Sequence, residues 1–252
     1  MKKVLVLGAT STVAMKVIEL LAKEKVDLYL VARSQEKLEI FAEKLKNQIQ
    51  NTQNKIDQKM TIKRFNVQHF DEHEELIQDA LKTLGGLDLV FVAYGSMTDQ
   101  KKCHENWLEL KNQWEINFLS VTSYLHYCTQ HFQKQGWGQI GVITSVAGDR
   151  GRQSNYSYGV SKGALSIYLQ GLRNRLYPFH ISVTDIKLGF VDSPMTKDLA
   201  KRFFICSPTY AAKLILWAIK KKSDIIYIPN FWKWIMLIIK MIPESLFKKM
   251  NF

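Results

Sequence analysis

Tyr158 and Lys162 stand four residues apart in Tyr158-Gly-Val-Ser-Lys162, within a pattern of helical period, so both side chains fall on one face of a helix. A phenol has an ordinary pKa of about 10, and it exchanges protons at neutral pH only beside a cation that favours its anion. Lys162 supplies that cation. Ser145, thirteen residues upstream at the end of an apolar run, offers a hydroxyl to a substrate oxygen on which negative charge develops. The three residues together suit proton transfer at an oxygen atom.

Positioning them requires a scaffold. Short apolar runs at 4–7, 28–32, 61–65, 87–93, 140–144, 181–187 and 225–228 read as strands. They alternate with helical patterns at 13–21, 36–49, 72–84, 107–132 and 155–176, and with one that begins at Ser207-Pro208, a serine cap followed by a first-turn proline. Lys220, Lys221 and Lys222 suit the negative C-terminal end of that last helix. Strands separated by helices predict an α/β fold, a single Rossmann-type doubly wound parallel sheet with helices on both faces. The polar, Gln- and Asn-rich stretch 47–59 reads as a surface loop. Residues 1–229 form the dinucleotide-binding and catalytic domain in this reading, and 230–252 an apolar helical tail.

The turn after the first strand, Gly8-Ala-Thr10-Ser11-Thr12-Val13-Ala14, puts backbone N–H groups at a helix N-terminus, where a pyrophosphate binds. Gly8, Thr10, Ser11, Thr12 and Val13 are the candidate contacts, although Thr12 and Ala14 stand where glycine-rich motifs have further glycines. The second strand ends at Ala32, followed by Arg33, with no carboxylate to accept from a ribose 2′-hydroxyl. A guanidinium grips a 2′-phosphate bidentately, so NADP(H) is the expected cofactor.

The turn from Gly8, Ser145 and Tyr158-Gly-Val-Ser-Lys162 together resemble the short-chain dehydrogenase/reductase family over roughly residues 3–229. The resemblance implies that Tyr158 donates a proton to a carbonyl oxygen as NADPH delivers hydride, and that Lys162 also holds the nicotinamide ribose. Asn117, in Trp114-Glu-Ile-Asn117, completes the family's tetrad and would anchor a water-mediated relay to Lys162. The likeness also carries cofactor contacts to Asn66, Val67, Ala93, Tyr94, Gly95, Gly189 and Val191. Three places depart from the family pattern. Val92-Ala93-Tyr94-Gly95 replaces Asn-Asn-Ala-Gly, Asn66 replaces an adenine-side aspartate, and Leu188-Gly189 replaces Pro-Gly.

Gly-Ala-Thr-Ser at 8–11, Ala93-Tyr94-Gly95, Asp99-Gln100 and the tail after Ile228 are similar to reductases of decaprenylphosphoryl 2-keto-pentoses (erythro-pentofuranosid-2-ulose type). That likeness implies a keto group on a large, lipid-linked substrate, in a pocket formed by residues 95–100 and 190–204. A fatty-acyl or sterol-like ketone is the second reading, and Phe203, Phe204 and Ile205 leave both open. The third is an idle NADPH-binding interaction protein, which the intact Asn117, Ser145, Tyr158 and Lys162 argue against. In this family the helices around 107–132 and Tyr158 form subunit faces, so a homo-oligomer is expected.

Other signals point elsewhere. Cys103, Cys128 and Cys206 lack metal-ligand spacing, and three unpaired cysteines fit a reducing cytoplasm. His69 and His73 are read as surface histidines at a helix entry, and no metal is expected. The net charge of +12 is concentrated at the C-terminus, where residues 197–252 hold eleven Lys/Arg and three Asp/Glu. No nucleic-acid reading motif accompanies it. No run is long enough to span a bilayer. Residues 231–250 instead predict an in-plane interfacial helix, with Lys233 and Lys240 on one polar stripe opposite a broad apolar face. Lys220 to Lys222 and Lys248 to Lys249 would add attraction to anionic lipid. A peripheral membrane contact is therefore expected, with packing over the pocket or against a second subunit as the alternative.

Overall fold

Continuous runs such as Val4 to Leu7 have no polar alternation because helices cover both sides of the strand they form. In the computed structural model, which describes residues 1–50, 58–194 and 204–250, these runs build one parallel sheet. In chain order the elements are β1 (Lys3–Leu7), α1 (Thr12–Ala22), β2 (Asp27–Ala32), α2 (Gln35–Gln50), β3 (Met60–Arg64), α3 (His73–Leu84), β4 (Leu89–Val92), α4 (Gln100–Glu105), α5 (Trp107–Trp114), α6 (Ser120–Gln135) and β5 (Gly138–Ser145). There follow α7 (Tyr156–Leu176), β6 (Ile181–Leu188), β7 (Phe190–Val191), β8 (Ile205–Cys206), α8 (Pro208–Lys220), β9 (Ile225–Ile228), α9 (Trp232–Met241) and α10 (Glu244–Phe247).

The seven main strands lie in the order β3-β2-β1-β4-β5-β6-β9, and β7 pairs with β8 outside that sheet. The chain reverses direction of travel between β1 and β4, and the carboxyl ends of those strands border the crevice where α/β folds bind ligands. Leu7 pairs with Val92, and Ser145 with Leu188, so the segments leaving β1, β4, β5 and β6 all emerge at that edge. Two apolar clusters fill the two faces: one gathers α1 and α8, the other α3, α6 and α7. A third, smaller cluster joins Val146 to Trp232 and Met236.

Five expectations change, the last of them in the tail. The helix expected over 107–132 is broken by a π turn at Glu115–Leu119, where the Ser120 N–H reaches back five residues to the Glu115 carbonyl. Two hydrogen bonds between Asn117 and the Ser96 backbone, one accepted from its N–H and one donated to its carbonyl, hold that insertion in place. The helix of α2 continues through Gln50, so 47–50 are not loop, and 51–57 lie outside the described residues. His73 is buried rather than a surface residue: Nε2 donates to the Val67 carbonyl at 3.0 Å, Nδ1 meets Ser123 Oγ at 2.9 Å, and the ring stacks on Tyr124. Burial lowers its pKa to about 4, while His69 stays exposed beside Glu72. Lys220 to Lys222 do not stand beside the tail. Lys222 borders a cleft with Met1, Asp88 and Gly138 at the amino ends of the strands, the opposite end of the sheet from α9.

The apolar face expected of the tail is split in two. Trp232 and Met236 turn inward onto Val146, with Ile235 and Ile239 beside them. Phe231, Trp234, Leu237, Ile238 and Met241 remain exposed, and Lys233 and Lys240 lie between the two faces. Pro243 separates α9 from α10, and its carbonyl accepts from Leu246 and Phe247. Arg150 clamps the tail by donating to the Ile239 and Ile242 carbonyls, pairing with Glu244 at 3.0 Å, and stacking on Phe247. Among the described residues no helix is long and apolar enough to cross a membrane.

Candidate active site

The turn after β1 needs a glycine. Gly8 has φ of 89°, and a Cβ there would sit 2.7 Å from the Tyr94 backbone nitrogen, which leaves a bare backbone facing the crevice. Ser11 caps α1 by accepting from Ala14 N at 3.2 Å, and the N–H groups of Thr12 and Val13 in the first turn precede any intrahelical acceptor. Thr10 is half-buried in the same turn. These free donors and the positive helix end fit a pyrophosphate.

At the far end of the crevice, Arg33 is exposed beside Ser34, which accepts from Lys37 N and caps α2. Arg64, the register partner of Ala32, adds a second cation at that edge that the spacing along the chain did not reveal. Asn66 accepts from Gln68 N, and Gln68 in turn binds Asn112 and Glu115 of the broken helix. Val67 is tied through its carbonyl to His73. Tyr94 bonds Ser120 at 2.7 Å, and its burial pushes the phenol pKa up.

The residues expected to be catalytic converge at the ends of β4 and β5. A Cβ on Gly95 would lie 3.0 Å from Asn117 Oδ1 and 3.5 Å from Lys162 Nζ, so three chain-distant residues border one small space. Lys162 is buried and donates to the Ile143 carbonyl at 3.1 Å. Its removal from water lowers its pKa to about 8, against a partial lift from the buried carboxylate of Asp185. Ser145 accepts from Ala147 N at 3.1 Å and donates to the Leu188 carbonyl at 3.3 Å. Its hydroxyl also hydrogen-bonds Tyr158 and thereby offsets part of the burial that lifts the Tyr158 phenol to about 12. Gly189 and Val191 follow Leu188 at the same edge, and the Trp232 indole lies so close over Gly189 that a Cβ would meet Nε1 at 2.0 Å. Ala93 is buried between the turn and Gly95, with its N–H on the Leu7 carbonyl.

Gln100, named in the sequence only through the Asp99-Gln100 likeness and the expected 95–100 pocket stretch, has a positioning role that the sequence did not show. Asn155 makes no side-chain cap at the start of α7, and the amide of Gln100 performs that task from α4. Gln100 Oε1 accepts from Ser157 N at 2.9 Å, while Nε2 donates to Ser157 Oγ at 2.8 Å. Trp114 adds an indole bond to the Ser157 carbonyl at 3.0 Å. The helix end that carries Tyr158 is thus fixed by side chains from α4 and α5. Residues 195–203, part of the stretch expected to form the substrate pocket, lie outside the described residues. Cys103, Cys128 and Cys206 are free and buried.

The geometry fits a nicotinamide dinucleotide along the crevice from Arg33 to Gly189, with a phenol, an ammonium and a hydroxyl at one end. A family model for short chain dehydrogenases matches residues 2–202. The chain is 26% identical to an uncharacterized oxidoreductase of Staphylococcus aureus (strain MW2) over 89% of its own length and 93% of that protein. It is 27% identical to an uncharacterized oxidoreductase of Streptomyces coelicolor over 66% of each. A crystal structure of a short-chain type dehydrogenase/reductase from Mycobacterium marinum superposes with a TM-score of 0.80 at 18% identity, covering 92% of this chain and 95% of that one. With its sheet order, its crevice and Ser145, Tyr158 and Lys162 in place, the chain belongs to the short-chain dehydrogenase family of oxidoreductases, which act on CH–OH groups with a nicotinamide cofactor.

Proposed function

We propose that this protein is an NADP(H)-dependent reductase that converts a keto group of a large, lipid-linked substrate into a secondary alcohol. The observation that carries the chemistry is the convergence of Gly95, Asn117 and Lys162 beside Ser145 and Tyr158. Bound along the crevice from Arg33 to Gly189, NADPH would supply the hydride that reduces the carbonyl carbon. Ser145 holds the carbonyl oxygen by a hydrogen bond, Tyr158 donates its proton to that oxygen, and the Lys162 ammonium stabilises the phenolate left behind. Asn117, held by both its amide atoms on Ser96, fixes the wall against which Lys162 is packed.

Choice of NADP(H) rests on Arg33 and Arg64 at the edge where an NAD-binding fold carries a carboxylate. Arg33→Ser is expected to weaken NADPH binding by roughly 10- to 100-fold, the loss of a charge-assisted bidentate contact, and to change NADH binding little. Fluorescence titration of both cofactors checks it. Tighter binding of NADH than NADPH by the wild-type protein would overturn the preference.

The motif likeness favours a polyprenylphosphoryl keto-sugar, and the apolar tail beside the site suits a lipid-linked molecule. Phe190 and Phe204, both in ring contact with Trp232, equally favour a fatty-acyl or sterol-like ketone. NADPH oxidation against lipid-linked keto-sugars, 3-ketoacyl thioesters and sterol ketones decides between them. Absence of turnover with every ketone would instead support the idle NADPH-binding partner.

We further infer that the outer face of α9 rests on an anionic bilayer. Phe231, Trp234, Leu237, Ile238 and Met241 are exposed together, and Lys233 and Lys240 flank them. Because truncating the tail would also uncover Val146, outer-face variants are the cleaner test. Trp234→Ser/Ile238→Ser is expected to lower co-sedimentation with phosphatidylglycerol vesicles at least about tenfold, since each side chain withdraws apolar surface from the interface. Unchanged sedimentation, or none by the intact protein, would favour a subunit contact there. A homo-oligomer through α5 and α7 is supported separately by the exposed Trp107, Leu108, Val160 and Ile167.

A further inference from the structure

We propose that the cleft between α10 and residues 151–156 is an oxyanion subsite that takes a phosphate group. The cleft has a volume of about 430 Å³ and is lined by Arg152, Gln153 and Tyr156 from one side and Glu244, Phe247 and Lys248 from the other. At about 30 Å³ per water it has room for roughly a dozen water molecules, so a phosphate and part of what it is attached to fit inside.

Arg152 is the reason for naming an anion. It lines the cleft, and its Nε, shut off from solvent, has no acceptor within the protein, so that atom does not tie the guanidinium to a neighbouring carboxylate. The nearby carboxylates are already engaged. Asp149 is bound by Lys187 and by the Tyr227 hydroxyl, and Glu244 pairs with Arg150. Desolvation lowers the Arg152 pKa, and Asp149 offsets that only in part. Arg152 and Lys248 therefore bring surplus positive charge to the cleft. The Gln153 amide and the Tyr156 hydroxyl add neutral donors. Donors on four lining residues, two of them cationic, match a tetrahedral group bearing several acceptor oxygens better than a single planar carboxylate.

The location links the cleft to the reaction. Residues 150–156 run from the Ser145 strand end to the helix that carries Tyr158, and the Arg150 clamp holds α10 against them. Two segments about ninety residues apart thus complete one site only when the tail is docked. A phosphate-bearing substrate would gain there a second anchor outside the cofactor crevice. That role rests on the reductase reading, whereas anion binding itself does not. The same anionic phosphate chemistry is offered by a soluble phosphate ester and by a lipid headgroup.

The test uses the full chain saturated with NADPH, so that the pyrophosphate position at Gly8 is filled, and titrates inorganic pyrophosphate by calorimetry. Binding by the wild-type protein that weakens roughly 10- to 100-fold in Arg152→Gln and in Lys248→Gln, and less in Arg152→Lys, is the expected result. Lys220→Gln, at the opposite end of the sheet, should leave it unchanged. A second arm measures retention on phosphatidylglycerol against phosphatidylcholine vesicles. Pyrophosphate binding with vesicle retention unaltered by the two Gln variants identifies a soluble phosphate. Loss of phosphatidylglycerol retention in those variants without pyrophosphate binding identifies a headgroup. If neither arm responds to Arg152 or Lys248 while NADPH affinity confirms that the variants are folded, the subsite is refuted. No readout requires turnover, so failure here is distinct from failure of the reductase assignment.

Discussion

Replacing Tyr158 by Phe should lower kcat for ketone reduction by about 10²- to 10⁴-fold, the share of a positioned general acid, and leave NADPH affinity within about an order of magnitude, the share of one hydrogen bond. The substitution removes one oxygen atom. Lys162 stays on the Ile143 carbonyl, Ser145 on Ala147 and Leu188, and Gln100 on Ser157, because none of these bonds involves the phenol. The phenol is held near 12 by burial, so in the free protein it carries its proton throughout the neutral range and is ready to act as the acid. Single-turnover measurement with bound NADPH separates this loss from any effect on product release. Retention of full turnover by the Phe variant would remove Tyr158 from the chemistry and with it the proposed reaction.

Lys162 sets the expected pH dependence. Burial brings its pKa down to about 8, from an ordinary lysine value more than two units higher. Below that pH the side chain is the ammonium that stabilises the phenolate. As pH rises through about 8 the charge is lost, and kcat/KM for NADPH, which reports the free enzyme, should fall on the alkaline side. Lys162→Arg keeps its charge to far higher pH, so in that variant the alkaline limb should move upward. Lys162→Met should lose about two to three orders of magnitude in rate at neutral pH, comparable with removing one preorganised electrostatic group, and should have no limb near 8. A limb that persists unchanged in the Met variant would assign the titration to another group. Asp185, buried behind Lys162 and bonded to Thr144, is the first to examine in that event.

The tail bears on both the substrate and the membrane proposals because it has two faces. Trp232 packs on Gly189 and against Phe190 and Phe204, which begin and end the stretch proposed to form the substrate pocket. Its partner face points outward. A helix whose inner half closes a pocket wall while its outer half meets lipid would bring a membrane-borne ketone close to Tyr158 without crossing the bilayer.

The sequence by itself determined whatever depends on local pattern. Strand runs bounded by turns, the serine-proline start of α8, and the i, i+4 pairing of Tyr158 with Lys162 are short-range facts, and together they led to the parallel sheet and to the residues at its crevice. The absence of a carboxylate after Ala32 was equally legible, because one position decides it. Only the tertiary structure decided the rest. The π turn at Glu115–Leu119 depends on Asn117 finding the Ser96 backbone, a contact twenty-one residues away that no helical periodicity encodes. Gln100 caps α7 from fifty-seven residues away, and Arg150 reaches Glu244 across ninety-four. Periodicity could not divide the tail into docked and exposed halves either, since every position on both halves is apolar and only contact with Val146 distinguishes them. The lysines at 220–222 and those of α9 are near in sequence but separated by β9, whose length carries them to opposite ends of the sheet. Charge read along a chain is not charge read across a surface, because each strand traverses the fold.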